Sequence, residues 1–266
     1  MTITIEHDVP IPMRDGVVLK ANVFLPDTTS PRPTIVQRNP YNKDAPQPGA
    51  PLDAMRFVRA GYAFVLQDVR GRFASAGSFK PFVHETADGD DTIQWAASQP
   101  WSNGRVAMVG GSYNGATQLL AAAATPEALI TIAPRMTSAD YHQGWTYRGG
   151  AFELGFVLFW TLHSLVLPDL NFRAGKGAKL DREINEVVDA IDTLETGTYR
   201  GLTLRQGSYS QPWPPTTKTG AIIRWRTPIG EQFLLELAMT LSMCPPCTPA
   251  VGMTFFSKAR SRISRD

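Results

Sequence analysis

"VAMVGGSYNGATQ", residues 106–118, is an apolar run, then a cluster of Gly, Ser and Asn, then the start of an Ala-rich stretch. The run reads as a strand and the Ala-rich stretch as a helix, so the cluster between them is a sharp turn with Ser112 at its point. Such a turn holds its central residue in a strained backbone conformation and lifts the side chain above the sheet, where a serine can act as a nucleophile. Small residues on either side let strand and helix pass closely. Gly110, Gly111 and Gly115 are so placed, although Asn114 stands where the common G-x-S-x-G pattern has its second Gly. N–H groups at a helix start point at a reacting centre there, and that of Tyr113 is placed to stabilise an oxyanion. A dinucleotide-binding module also uses a Gly-rich strand-to-helix turn. It calls for G-x-G-x-x-G and an acidic residue closing the following strand. Here the glycines are spaced differently and the next strand ends in Ala133-Pro134-Arg135.

Outward from the turn, the first 140 residues repeat one pattern. "TITIEHDV" alternates as a half-buried strand, and Asp15-Gly16 turns into a second strand, "VVLKANVFLP". "PTIVQRNP" and "YAFVLQD" are short buried strands, separated by the helix "LDAMRFVRAG" with Gly61 as its stop. "ETADGDDTIQWAASQ" is a helix before the strand "RVAMV"; "GATQLLAAAAT" is the helix before the strand "ALITIAP". Two opening strands followed by alternating strands and helices imply an α/β fold, a mostly parallel sheet with helices on both faces. From about residue 140 the spacing is helical, in "DYHQGWTYRGGAFELGFVLFWTLHSLV" and "KLDREINEVVDAIDTLE". The second has Ile184, Val187, Val188 and Ile191 on one face, as expected of a helical cap. The expected organisation is 1–140 as the α/β part, 141–203 as the start of a cap, and 204–266 as a tail following neither pattern, with one helical segment, "GEQFLLELAMTLSM".

A hydrophobic content of 43% and charge of 19% are those of an ordinary globular chain rather than a disordered one. A net charge of +2 over 266 residues makes no case for nucleic acid or an anionic membrane. The N-terminus has no basic region followed by an apolar core, and "AFELGFVLFWTLHSLVL" is broken by Glu153 and His163. A cytoplasmic protein with no membrane span is the expectation. Two cysteines cannot build a disulfide framework.

Two loops add to the turn. "RNPYNK" (38–43) follows the third strand, where α/β-hydrolases usually carry a second oxyanion donor. It has no Gly-rich turn but does have Tyr41, whose hydroxyl can donate. "QDVRGRFASAGSF" (67–79) follows the fourth strand. Together "MRDGVVLKANVFLP", "RNPYNK", "YAFVLQDVRGRFASAGSF", "GRVAMVGGSYNG" and "IAPRMTSADY" stand in the order and spacing of the X-prolyl dipeptidyl peptidase and cocaine esterase group of serine hydrolases, which residues 1 to 200 resemble. That group uses G-x-S-Y-x-G, which accounts for Asn114. The resemblance implies an α/β-hydrolase fold, incomplete here, with Ser112 as nucleophile and the Tyr113 N–H and Tyr41 hydroxyl as oxyanion donors. It also implies Trp145 and Trp160 as residues lining the acyl pocket; ordinary cap packing explains them equally well. The substrates implied are small-molecule esters, amides or X-Pro peptides, with no metal and no organic cofactor.

The triad does not continue as written. After Ser112 the histidines are His142 and His163, both within the cap stretch, and Asp140, Asp169, Asp181, Asp189 and Asp192 read as ordinary cap or loop carboxylates. The family carries its Asp after the cap, in a segment resembling P-A-L-H-V-G-G-W-Y-D-I-F. In degenerate codons read from the third base, Met253-Thr254 (ATG-ACN) gives NAT-GAC, an unambiguous Asp. The whole of "CPPCTPAVGMTFFSK" (244–258) then becomes compatible with P-A-L-H-A-G-G-W-Y-D-I-F-L-K-G. The shifted frame runs back to about Arg205, where "RQGSY" becomes compatible with R-E-L-L. The expectation is a one-base slip near residues 204–207, a tail translated out of frame to a chance stop, and a truncated chain lacking the triad Asp and His. The C-x-x-C at 244–247 is then an artefact of frame rather than a redox or metal motif. A catalytically inert truncated product is the rival expectation, with a dinucleotide-binding module behind it.

Overall fold

The computed structural model describes residues 2–27, 30–45, 54–141, 144–149, 151–173, 178–199, 203–206 and 221–224. These fall into two compact units, one over Met1–Asp140 and one beginning at Tyr141.

In the first unit the strands are β1 (Ile3–Pro12), β2 (Val18–Pro26), β3 (Arg32–Asn39), β4 (Ala63–Asp68), β5 (Ser102–Gly111) and β6 (Leu129–Arg135), and the helices are α1 (Ala54–Arg59), α2 (Glu85–Ser98) and α3 (Tyr113–Ala123). They form one six-stranded sheet in the order β1-β2-β4-β3-β5-β6. The β1–β2 and β2–β4 pairs are antiparallel, and β4–β3, β3–β5 and β5–β6 are parallel. Alternation along the strands divides the core between two layers. Leu19, Ala21, Val36, Val65, Val106 and Met108 face Ile93 and Ala96 of α2 and Ala121 and Ala122 of α3. Ile35, Phe64 and Val109 face Val58 and Phe57 of α1 on the other side. The α2 and α3 helices approach closely because Gly89 carries no side chain, and a Cβ there would lie 2.5 Å from that of Ala121. This is the mostly parallel sheet with helices on both faces that the alternation of segments implies.

The second unit departs from the expected continuous helix after residue 140. Tyr147–Arg148 (β7) and Ala151–Phe152 (β8) pair as a short antiparallel hairpin. Its turn includes Gly149 at φ 56°, a conformation open to glycine and costly in a helix. The Tyr147 and Phe152 rings pack at 5.3 Å, and the Thr146 hydroxyl donates to the Tyr141 carbonyl. Helix begins only at Leu154: α4 (Leu154–Phe159), a π-helical stretch Trp160–Val166 and α5 (Leu167–Arg173) follow without a break. Leu154–Phe172 is long and apolar enough to cross a bilayer by length and composition, and half of it is buried. Leu158, Leu162, Val166 and Leu170 pack with Val187 and Ala190 of α6 (Ala178–Asp192) and with Leu194 beyond it. Of the four apolar residues expected on one face of α6, Val188 lies outside this cluster and is 37% exposed. Thr203–Gln206 (β9) pairs antiparallel with Ala221–Arg224 (β10). The expected helix at 230–243, the C-x-x-C at 244–247 and the codon-shift segment at 244–258 lie outside the described residues.

Candidate active site

β3 and β5 are adjacent and parallel, with Val36 level with Met108. The segments leaving their carboxyl ends therefore emerge along the same edge of the sheet, where open α/β sheets place their sites. Ser112 stands at the end of β5 and Tyr41 two residues beyond β3. The Ser112 backbone has φ 56° and ψ −125°, a region a side chain enters only under strain, and one that turns a strand sharply into a helix. Its N–H donates to the Arg135 carbonyl at 2.9 Å, and its own carbonyl accepts from Gly115 and Ala116, opening α3. Ser112 is an exposed residue. Tyr113 and Asn114 begin the helix, where N–H groups have no intrahelical carbonyl to meet.

The turn is held from below by buried polar contacts. Gln118, fully buried in α3, donates from Nε2 to the Gly110 and Asn114 carbonyls, and its Oε1 accepts from Ala133 N–H on β6. The Thr117 hydroxyl donates to the Asn114 carbonyl at 3.0 Å. Tyr113 is wholly buried, its ring stacked on Phe82 at 4.8 Å. Its hydroxyl donates to Glu85 Oε1 at 2.8 Å and accepts from Phe82 N–H at 3.0 Å. Burial, together with the adjacent Glu85, pushes the phenol well above its ordinary range, so it stays a donor. Burial also pushes the Glu85 carboxyl up, opposed by Arg38 and the phenol. Arg38, fully buried at the end of β3, meets Glu85 Oε2 through Nη1 at 2.8 Å, and donates from Nη1 to the Glu85 carbonyl and from Nε to Gln67 Oε1.

The loop carrying Tyr41 has its own supports. Tyr41 is half-buried, and its N–H donates to Asn39 Oδ1. Lys43 N–H donates to Asp68 Oδ1 at 2.7 Å, and Lys43 Nζ lies 2.7 Å from both Asp8 and Asp44. Asp68 is buried at the end of β4, and that burial pushes its carboxyl up to about 7, opposed by Lys43 and the Ala74 N–H. Arg38 and Asp68 fall within the motifs at 38–43 and 67–79, yet neither they nor Glu85 is singled out by the sequence as a site residue. Glu85 reads there as an ordinary acid in a first helical turn, and Arg38 and Asp68 as the ends of strands; only the packing of β3, α2 and α3 brings Arg38 and Glu85 behind Ser112.

In the second unit, Trp160 is 8% exposed, and Trp145 is half-buried between Tyr141 at 5.6 Å and Phe156 at 6.4 Å. His163 is exposed and stacks on Phe159 at 4.9 Å, and His142 lies outside the described residues.

Known proteins agree with this architecture. The family model of the X-Pro dipeptidyl-peptidase (S15 family) matches residues 15–229. The cocaine esterase of Rhodococcus sp. (strain MB1 Bresler) is 42% identical over 161 residues, which cover 59% of this chain and 28% of that protein. Among solved structures, a CocE/NonD family hydrolase from Staphylococcus aureus superposes with a TM-score of 0.60 at 27% identity, covering 70% of this chain and 36% of its own. An α-amino acid ester hydrolase gives a TM-score of 0.52 at 30% identity, covering 62% of this chain and 30% of its own. The chain thus spans about a third or less of the length of these relatives. With the six-stranded sheet, the strained serine turn and a family match over most of its length, this chain belongs to the X-Pro dipeptidyl-peptidase (S15) family of α/β-hydrolases.

Proposed function

We propose that the chain carries the nucleophile half of a serine hydrolase that transfers acyl groups from esters, amides or X-Pro peptides to water. The backbone of Ser112 carries this reading: a non-glycine residue at φ 56°, at the end of a parallel strand and the start of a helix. Ser112 Oγ attacks the substrate carbonyl, its proton passing to an imidazole. The oxyanion forms against the Tyr113 N–H and the Tyr41 hydroxyl. The tetrahedral intermediate expels the alcohol or amine, which takes up that proton, and water then releases the acyl group by the same path. The cocaine esterase and α-amino acid ester hydrolase relatives favour esters, and the family description adds X-Pro peptides.

The imidazole and its orienting Asp are assigned to a reading frame displaced by one base from about residue 204. Support comes from the Asp forced by Met253-Thr254 and from its place after the cap stretch. Loss of a triad base lowers kcat by on the order of 10⁶. The 266-residue chain is therefore expected to hydrolyse p-nitrophenyl acetate, p-nitrophenyl butyrate and Ala-Pro-p-nitroanilide very slowly, and to be labelled at Ser112 by a fluorophosphonate only slowly, because the same missing base activates the serine for both reactions. Fast turnover that vanishes in Ser112→Ala would show that the base is present within this chain. Labelling of another serine in place of Ser112 would remove the nucleophile assignment. Resequencing the DNA across codons 200–210 tests the displaced frame, and an unbroken frame in independent genomic DNA and transcript would sink it.

A further inference from the structure

Behind Ser112 lies a fully buried set of polar groups that the reaction above does not use. Arg38 and Tyr113 have no exposed surface and Glu85 is 3% exposed, an arrangement that tolerates a charge only where it is paired. The groups belong to three separate elements. Arg38 comes from the end of β3, three residues before Tyr41; Glu85 comes from the first turn of α2; Tyr113 follows Ser112 directly. Arg38 Nη1 lies 2.8 Å from Glu85 Oε2 as an ion pair and donates to the Glu85 carbonyl at 3.2 Å, and the other carboxylate oxygen accepts from the Tyr113 hydroxyl at 2.8 Å. The Arg38 carbonyl lies 3.4 Å from the Thr117 hydroxyl on α3, the longer arm of a proton shared with the Asn114 carbonyl at 3.0 Å.

We propose that the Arg38–Glu85 pair is a positioning device for the oxyanion site. Through the Tyr113 phenol it holds the turn that presents Ser112 and the Tyr113 N–H, and through β3 it holds the segment that presents Tyr41. The two donors come from separate loops, so their separation is set by whatever ties those loops together. A buried ion pair, unscreened by water, does this better than exposed loop contacts. The proposal rests on the assignment of Ser112 as nucleophile with Tyr41 and Tyr113 as oxyanion donors. Arg38, Glu85 and the Tyr113 phenol act only through those groups.

Fluorophosphonate labelling of Ser112 in the full 266-residue chain gives the rate, and hydrogen–deuterium exchange of peptides spanning 110–118 gives the local order of the turn. Tyr113→Phe removes one hydroxyl and leaves Ser112 and every backbone N–H in place. It is expected to slow labelling by about ten- to a hundredfold, the scale on which misplaced reacting groups lose rate. Exchange should quicken at 110–118 and not in β1 or β2. Tyr41→Phe should then slow labelling less in the Tyr113→Phe background than in the parent, because the two donors act on one charge. Labelling of Tyr113→Phe at the parent rate overturns the proposal. So does faster exchange throughout Met1–Asp140, which marks a general loss of stability, and so do additive effects of the two substitutions. Should Tyr113→Phe fail to fold, Glu85→Gln carries the same measurements: its carbonyl still accepts from the phenol, while the charge facing Arg38 is gone. A parent chain labelled at another serine and not at Ser112 overturns the nucleophile assignment and this proposal with it. A labelled parent with an unaffected Tyr113→Phe overturns this proposal alone.

Discussion

Gly110 adopts φ +143°, and a Cβ at that position would lie 2.5 Å from the Asn114 Cβ. Both conditions exclude a side chain, one by backbone strain and one by contact with the turn that follows. Gly110→Ala is expected to lower stability by about 1–3 kcal/mol, from the strain of a residue held in that region, and to abolish fluorophosphonate labelling of Ser112. Chemical denaturation and labelling together check it. Asp68 makes a separate prediction. Its folded carboxyl titrates near 7 against an ordinary 3.8, so between about pH 4 and pH 7 the folded chain holds a proton that the unfolded chain has lost. This contribution is therefore most favourable below about pH 4, falls as pH rises to about 7, and is flat above. Asp68→Asn keeps an oxygen for the Lys43 N–H and removes the buried charge. Its melting temperature should equal or exceed the parent's at pH 8, and its decline between pH 5 and 8 should be shallower.

At the scale of elements, α2 is pinned to the β1–β2 turn and to the loop after β4 by charge. Arg70 donates to both oxygens of buried Asp88 on α2, at 2.9 and 2.6 Å, and to Asp15 in the β1–β2 turn at 2.7 and 3.2 Å. Pairing on two sides holds the Arg70 guanidinium charged. Arg70→Ala leaves the Asp88 carboxylate buried without this partner, and breaking a pair of this kind costs about 3–5 kcal/mol. A fall of that order in unfolding free energy, measured by urea denaturation, is the expected outcome. Arg14 pairs with Asp90 and Asp91 at the solvent-facing side of the same helix, where such pairs contribute little. Arg14→Ala should therefore leave stability within about 1 kcal/mol of the parent.

For the whole molecule, the sheet ends on β6, which pairs with β5 on one side and, among the described residues, with no strand on the other. Its side chains are largely exposed, with Ile130 at 44% and, just beyond its end, Met136 at 84%. A strand edge with exposed apolar residues is a template for pairing with another chain. The 266-residue chain is expected to self-associate with rising concentration in sedimentation velocity, and Ile130→Lys to reduce that association. Association unchanged by Ile130→Lys would place the contact elsewhere.

The alternation of strand and helix through residue 140, and the turn at Ser112, were legible because local periodicity and glycine placement dictate them. Hydrophobic spacing of two or 3.6 residues states which face is buried, and Gly110, Gly111 and Gly115 state where the chain must bend sharply. The short hairpin at 147–152 was not legible, since two-residue strands are too brief to show a period. Nor was the role of Arg38, Glu85 or Asp68. Each is an ordinary charged residue until β3, β4, α2 and α3 assemble, and burial alone makes its partners obligatory. The sequence by itself determined the class of fold and the residue at the point of the turn, because both follow from contacts a few residues apart. Only the tertiary structure decided what lies behind that residue: buried charges must be paired, and their partners come from segments 28 to 47 positions away.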